Sequence, residues 1–246
     1  MDALILALES SGELGGAALL ARGSLLGEEL VSGPRRHGAE LMPCVDRLLA
    51  KQRVSREQLG VIAVNAGPGS YTGLRIGLTT AAALGYALNK PVVGVGAFDC
   101  MALQFVTDRA FDTRFRGELW PVLDARRDEV MTARFVFEKG DLRRVGADML
   151  VPPAELSRQA APGSLVFGSG VAPYENLLKP QPLKLGPWAF EIAPASVALQ
   201  AWRELVNVAD PAAVERKPVM PRYFRQVLAM TTEERAAQSS AGRASD

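Results

Sequence analysis

The chain has 246 residues, of which 48% are hydrophobic and 22% charged, a composition that suits a globular protein with a sizeable core and excludes a fibre or a wholly disordered chain. A net charge of +1 excludes a uniformly basic surface for nucleic acid. The start, MDALILALES, has an acid, no basic residue and a short apolar run, so neither a signal peptide nor a membrane anchor is expected there.

Ala3 to Leu8 reads as a buried strand that ends at Glu9-Ser10-Ser11-Gly12. Gly16 to Ala21 and Leu25 to Val31 read as two further strands, joined by a turn at Arg22-Gly23-Ser24. Leu41, Val45, Leu48 and Leu49 recur at helical spacing and predict a helix over Gly38 to Gln52. A strand over Gly60 to Val64, a helix over Tyr71 to Asn89 and a strand over Val92 to Val95 follow. The order β-β-β-α-β-α-β describes a ribonuclease-H-like mixed sheet, the elementary lobe of the actin, sugar-kinase and Hsp70 group. A second lobe is expected from residue 101, with a hairpin of Glu118 to Asp124 and Val130 to Glu138 around Ala125-Arg126-Arg127-Asp128. Ser164 to Phe167 reads as a buried strand before Gly168-Ser169-Gly170, and Ser196 to Val208 as an amphipathic helix. The expected division is a first lobe over 1–100, a smaller second lobe over 101–225, and a disordered tail over 226–246, where the sequence is polar and without apolar periodicity. Cys44 and Cys100 lie in apolar stretches without CxxC spacing and read as reduced core residues of a cytoplasmic protein.

Asn65 to Gly77, NAGPGSYTGLRIG, places Gly67, Gly69 and Gly73 at a tight strand-to-helix turn, the position where many α/β proteins hold phosphate. No Lys-Ser or Lys-Thr follows as a P-loop requires, and the spacing is one residue longer than the dinucleotide fingerprint. Structural turns use the same residues. Kinases of this fold carry an acid at the end of the first strand, where Glu9-Ser10-Ser11 stands, so Glu9, Ser10, Gly67 and Gly69 are the candidate nucleotide contacts, with Glu9 a candidate magnesium ligand. Asp124 ends the analogous second-lobe strand, and an ion pair with Arg127 is its bland reading. The arginines at 126, 127, 143 and 144 read by default as a solvated face. His37 is the only histidine, and Leu41 stands where a paired helical histidine would. No metal cluster or Ser-His-Asp triad is therefore expected, and His37 reads as a helix N-terminal contact. The helix from Tyr71 carries apolar residues on every face, so it must be buried all round, either under its own domain or against a second protein.

LILALESSG, RRHGAELMPCVDRLL, GPGSYTGLRIGLTTAAALGYAL, KPVVGVGAFDCMAL and PVLDARRDEV, in this order, resemble the TsaB family, and MPRYFR resembles its Pro-x-Tyr-x-Arg ending. The resemblance covers about residues 3 to 225. It implies a two-lobed actin-like ATPase fold and a noncatalytic paralogue of TsaD in the bacterial machinery that makes N6-threonylcarbamoyladenosine at tRNA position 37. It further implies a heterodimer in which two first-lobe helices, His37 to Lys51 and Tyr71 to Asn89, pair with their equivalents in TsaD. The interface residues expected are His37, Leu41, Val45, Leu48, Leu74, Leu78 and Ala82, with Tyr71 and Arg75 as rim or anchor residues. On this reading the chain is not an enzyme, helps recruit the ATPase TsaE, meets tRNA only through the complex and forms a homodimer when isolated. No cofactor or metal is expected on the chain alone, any ATP or ADP being shared at the heterodimer boundary. Glu9 stands where relatives carry Asp, which weakens an ATPase role. The rival readings are an autonomous ATPase or small-molecule kinase using Glu9, Gly67, Gly69 and Gly168, and a metalloprotease, against which the single histidine speaks.

Overall fold

The structure, a computed structural model, describes residues 3–32, 36–179, 182–187, 190–208, 213–214 and 217–224, and the expected tail at 226–246 lies outside the described residues. β1 (Leu4–Glu9) pairs antiparallel with β2 (Leu14–Ala21), which pairs antiparallel with β3 (Ser24–Ser32). On its other side β1 pairs parallel with β4 (Leu59–Asn65), which pairs parallel with β5 (Val92–Val95). The resulting order is β3-β2-β1-β4-β5. β1 is central and covered on both faces, which explains its unbroken apolar run. Alternation sends Leu6 and Leu8 to one face and Ile5 and Ala7 to the other.

The first of these faces is covered by α1 (His37–Gln52) and α2 (Tyr71–Leu88). Leu41, Val45 and Leu48 of α1 and Leu74, Leu78 and Ala81 of α2 close on Leu6, Leu8, Leu19, Ile62 and Val64.

The second sheet repeats the first. β6 (Gly117–Asp124), β7 (Val130–Glu138) and β8 (Asp141–Val151) form an antiparallel meander, and β9 (Leu165–Phe167) and β10 (Lys184–Leu185) add parallel strands in the order β10-β9-β6-β7-β8. Two sheets of the ribonuclease-H-like order make this the two-lobed actin-like ATPase fold. β8 has no counterpart in the sequence reading, because DLRRVGADMLV shows no clean apolar alternation; as an edge strand it is only half buried. Short helices α4 (Pro153–Gln159) and α5 (Glu175–Leu178) cover the outer face of this sheet over Trp120, Val122 and Val166.

Two helices fill the space between the sheets. α3 (Ala97–Thr107) packs on β6, β7 and β8, and α6 (Pro194–Leu205) packs on β1 and β2 and on α3. A single apolar cluster therefore runs from Ile5 and Ala18, through Phe98, Met101, Val197 and Ala201, to Phe135 and Phe167. Placing all of 101–225 in the second lobe is corrected by α6, which returns the chain to the first sheet.

Candidate functional site

The glycine loop closes on its own chain. Ser70 caps α2 by accepting from the Gly73 amide at 3.3 Å, while the Ser70 amide donates to the Ser11 carbonyl at 2.9 Å. Ser10 Oγ donates to the Gly73 carbonyl at 2.8 Å. A methyl group on Gly69 would lie 2.6 Å from Ser11 Cβ, and one on Gly73 would enter the Ser10 carbonyl. The glycines thus permit the end of β1 to press against the helix start, and Ser10 and Ser11 fill the space beside the α2 N-terminus. The second lobe has a similar device: a methyl group on Gly168 would collide with the Val122 carbonyl of β6, and one on Gly170 would press on the β6 backbone, 3.1 Å from the Leu123 carbonyl carbon.

Glu9 is fully buried. Its Oε1 accepts from the Ser11 amide at 2.5 Å and its Oε2 from Asn65 Nδ2 at 2.7 Å, while Asn65 Oδ1 accepts from the Gly67 amide at 2.8 Å. Burial pushes the Glu9 carboxyl up from its ordinary range, against the pull of the Ser11 and Asn65 hydrogen bonds. This is a pin between β1, β4 and the loop, and it corrects the reading of Glu9 and Ser10 as groups facing phosphate or magnesium. Among the described residues, no three His, Cys, Asp or Glu side chains gather as a metal site would require. A cavity between the lobes at the glycine loop, lined by Pro68, Gly69, Tyr71, Ala125, Met131 and Tyr223 among others, holds about 200 Å³, below the ~300 Å³ at which small-molecule pockets begin.

His37 lies buried at the start of α1 with Nε2 3.2 Å from the Gly12 carbonyl, and its ring sits where a side chain on Gly15 would be. It is a core histidine that joins α1 to the β1–β2 turn. Leu41, Val45, Leu48, Leu74 and Leu78 are also buried in the chain's own core, which corrects their reading as a docking surface. α2 is nevertheless not buried all round. Tyr71, Arg75, Thr79, Ala82 and Tyr86 are spaced by four, four, three and four residues, form one stripe along the helix and all face outward. Tyr71 is 43% exposed and Tyr86 92%. A groove of about 510 Å³ runs beside the stripe, lined by Gly38, Tyr71, Thr72, Arg75, Ile76, Thr79 and Thr80.

The arginines of the second lobe divide. Arg126, not Arg127, meets Asp124, at 3.0 Å. Arg144 leaves the solvated face it was assigned. Its guanidinium grips both Asp99 oxygens at 2.9 and 2.8 Å and Asp148 at 2.6 Å, and lies over the Phe135 ring at 5.0 Å. It ties the edge strand β8 to α3.

The family model described as TsaD, tRNA N6-adenosine threonylcarbamoyltransferase, matches residues 31–232. The tRNA threonylcarbamoyladenosine biosynthesis protein TsaB of Bacillus subtilis is 34% identical over 151 residues, 61% of this chain and 63% of that protein. The TsaB protein of Escherichia coli is 30% identical over 53% of this chain and 54% of its own length. The chain belongs to the TsaB family. A protein of Mycobacterium tuberculosis described as uncharacterized is 30% identical over 90% of this chain and 92% of its own. Matches to the two TsaB-named proteins thus span less than two thirds of their length. The solved structure of YeaZ from Pseudomonas aeruginosa covers 90% of this TsaB-family chain and 99% of that one, at 25% identity and a TM-score of 0.73. The likeness therefore extends through both lobes.

Proposed function

We propose that this TsaB-family chain is a noncatalytic accessory subunit for N6-threonylcarbamoyladenosine at tRNA position 37, which binds and activates TsaD and helps recruit TsaE. The names of its relatives support the pathway. The observation that carries the subunit reading is the outward stripe of α2 from Tyr71 to Tyr86 beside a glycine loop closed by Ser10 and Ser11. The fifteen residue-to-residue rises from Tyr71 to Tyr86 give a ridge of roughly 22 Å. Its small middle, Thr79, Ala82 and Ala83, allows a partner helix to approach closely, with tyrosines at both ends as anchors. TsaD would carry out the transfer of the threonylcarbamoyl group from its adenylate to the tRNA adenosine. ATP or ADP would be shared at the boundary rather than held by this chain alone, tRNA would be met through the complex, and the isolated chain would cover the stripe by forming a homodimer.

The deciding experiment is co-purification with TsaD and TsaE, with and without ATP, beside calorimetric titration of the isolated chain with ATP and magnesium. The expected result is capture of TsaD and no ATP turnover by the chain alone. Micromolar ATP binding with turnover would favour an autonomous ATPase or small-molecule kinase and overturn the proposal.

A further inference from the structure

The Pro221-Arg222-Tyr223 motif has a place in the fold that the family likeness does not explain. Residues 217–224 form a strap across the first lobe. The Arg222 amide donates to the Ala66 carbonyl at 2.7 Å, and the Arg222 carbonyl sits 3.0 Å from where a methyl on Gly67 would stand. Val219 occupies the side-chain space above Gly94, while Phe224 lines the cavity between the lobes. These contacts carry Tyr223 to the start of α2, where its ring lies 5.0 Å from that of Tyr71 at an interplanar angle of 33°. On the same Tyr71, the Arg75 guanidinium lies 5.3 Å from the ring centroid and donates to the hydroxyl at 2.7 Å.

Tyr223, Tyr71 and Arg75 thus form one stack contributed by two distant parts of the sequence. Tyr223 remains 40% exposed within it. Among the described residues, no carboxylate lies within ion-pair distance of Arg75. The helix begins at Tyr71, so its docking stripe would end there without the strap. Resting on the reading that this stripe docks TsaD, we propose that Tyr223 extends the docking surface and that the C-terminal strap is itself part of the interface. The stack is ordered before the partner arrives, which lowers the side-chain entropy lost on association. Tyrosine and arginine are the residue types that dominate interface energetics. The partner would offer an apolar side chain to the open face of Tyr223 and a carboxylate to Arg75. Linkage then requires that partner binding and strap docking strengthen each other.

The test uses the full chain. TsaD affinity is measured for the wild type, Tyr223→Ala, Tyr223→Phe and Tyr86→Glu, and amide exchange over 217–224 is followed with and without TsaD. Tyr223→Ala is expected to weaken binding by about tenfold or more, and Tyr223→Phe to stay within about threefold. Strap amides should exchange more slowly in the complex. If Tyr86→Glu abolishes binding while Tyr223→Ala binds as the wild type, the strap inference is overturned and the docking reading stands. If neither variant changes binding, both fall. Unchanged strap exchange in the wild-type complex also overturns the inference, and this readout holds even if Tyr223→Ala fails to fold.

Discussion

Replacing Gly73 by alanine separates a closed loop from an open phosphate cradle by the sign of its effect. Gly73 lies in the first turn of α2, and in a helix alanine is favoured over glycine by about 1 kcal/mol. An open cradle would therefore make the variant more stable. In this structure the added methyl would enter the Ser10 carbonyl, with the Ser10 carbonyl carbon 3.0 Å and Ser11 Cα 3.1 Å away. All three atoms are backbone, so no flexible side-chain end can yield. Displacing that backbone strains two hydrogen bonds, Ser10 Oγ to the Gly73 carbonyl at 2.8 Å and the Ser70 amide to the Ser11 carbonyl at 2.9 Å, each contributing about 1 kcal/mol. Overpacking adds about 1–3 kcal/mol. After the helix-propensity gain, the net loss is about 2–4 kcal/mol, or a urea midpoint lower by about 1 M or more. Gly38→Ala serves as the control, because a methyl there meets only Ile76 Cδ1 at 3.7 Å. A Gly73→Ala variant as stable as the wild type, or more so, would refute the closed loop.

On the α2 stripe, Tyr86→Glu should leave stability within about 0.5 kcal/mol and remove TsaD capture, whereas Leu78→Glu should unfold the chain by placing an unpaired charge in the core. Circular dichroism beside co-purification reads both, and a folded Leu78→Glu variant would show that the core assignment is mistaken. Because burial raises the Glu9 pKa, its contribution favours the folded state below the ordinary carboxyl range and is lost as pH rises through the raised value. Glu9→Gln should therefore show a shallower fall of urea midpoint with rising pH than the wild type, and parallel curves would refute this. Arg144→Ala should cost about 2 kcal/mol by leaving Asp99 and Asp148 without their shared cation, and a thermal midpoint equal to that of the wild type would contradict the tie between β8 and α3.

The strands of the first lobe were legible to within about two residues, since each is a short apolar run bounded by turn residues. β8 was hidden by its half-exposed, arginine-bearing sequence, and α3 because AFDCMALQFVT has no polar stripe to reveal a period; it is enclosed between two sheets. Arg143-Arg144 looked like solvated charge because Asp99 lies 45 residues away in sequence. The orientation of α2 is marked in the sequence by its glycines and not by its apolar residues, which lie on every face. Gly73, Gly77 and Gly85 share one side, and methyl groups there would collide with Ser10, Ser10 Oγ and Val92 respectively. Glycines at four- and eight-residue spacing mark the side that touches the sheet, which makes Leu74 and Leu78 core residues and turns Tyr71, Arg75, Ala82 and Tyr86 outward. Tyr223 could not be placed from sequence, because its position depends on a strap that pairs with a loop some 150 residues earlier.

The cluster that joins Ile5 in the first sheet to Phe167 in the second makes the seam between the lobes apolar. Many ligand-binding two-lobed proteins work by a closing stroke, which requires lobes that separate cheaply and a few hinge residues to absorb the rotation. Here α6 lies on the first sheet, α3 on the second, and the two pack on each other, so opening the cleft would expose Phe98, Met101, Val197 and Ala201 to water at about 25 cal/mol for every Å² uncovered. A stroke of that kind would have to be driven by contacts strong enough to offset the apolar surface it uncovers.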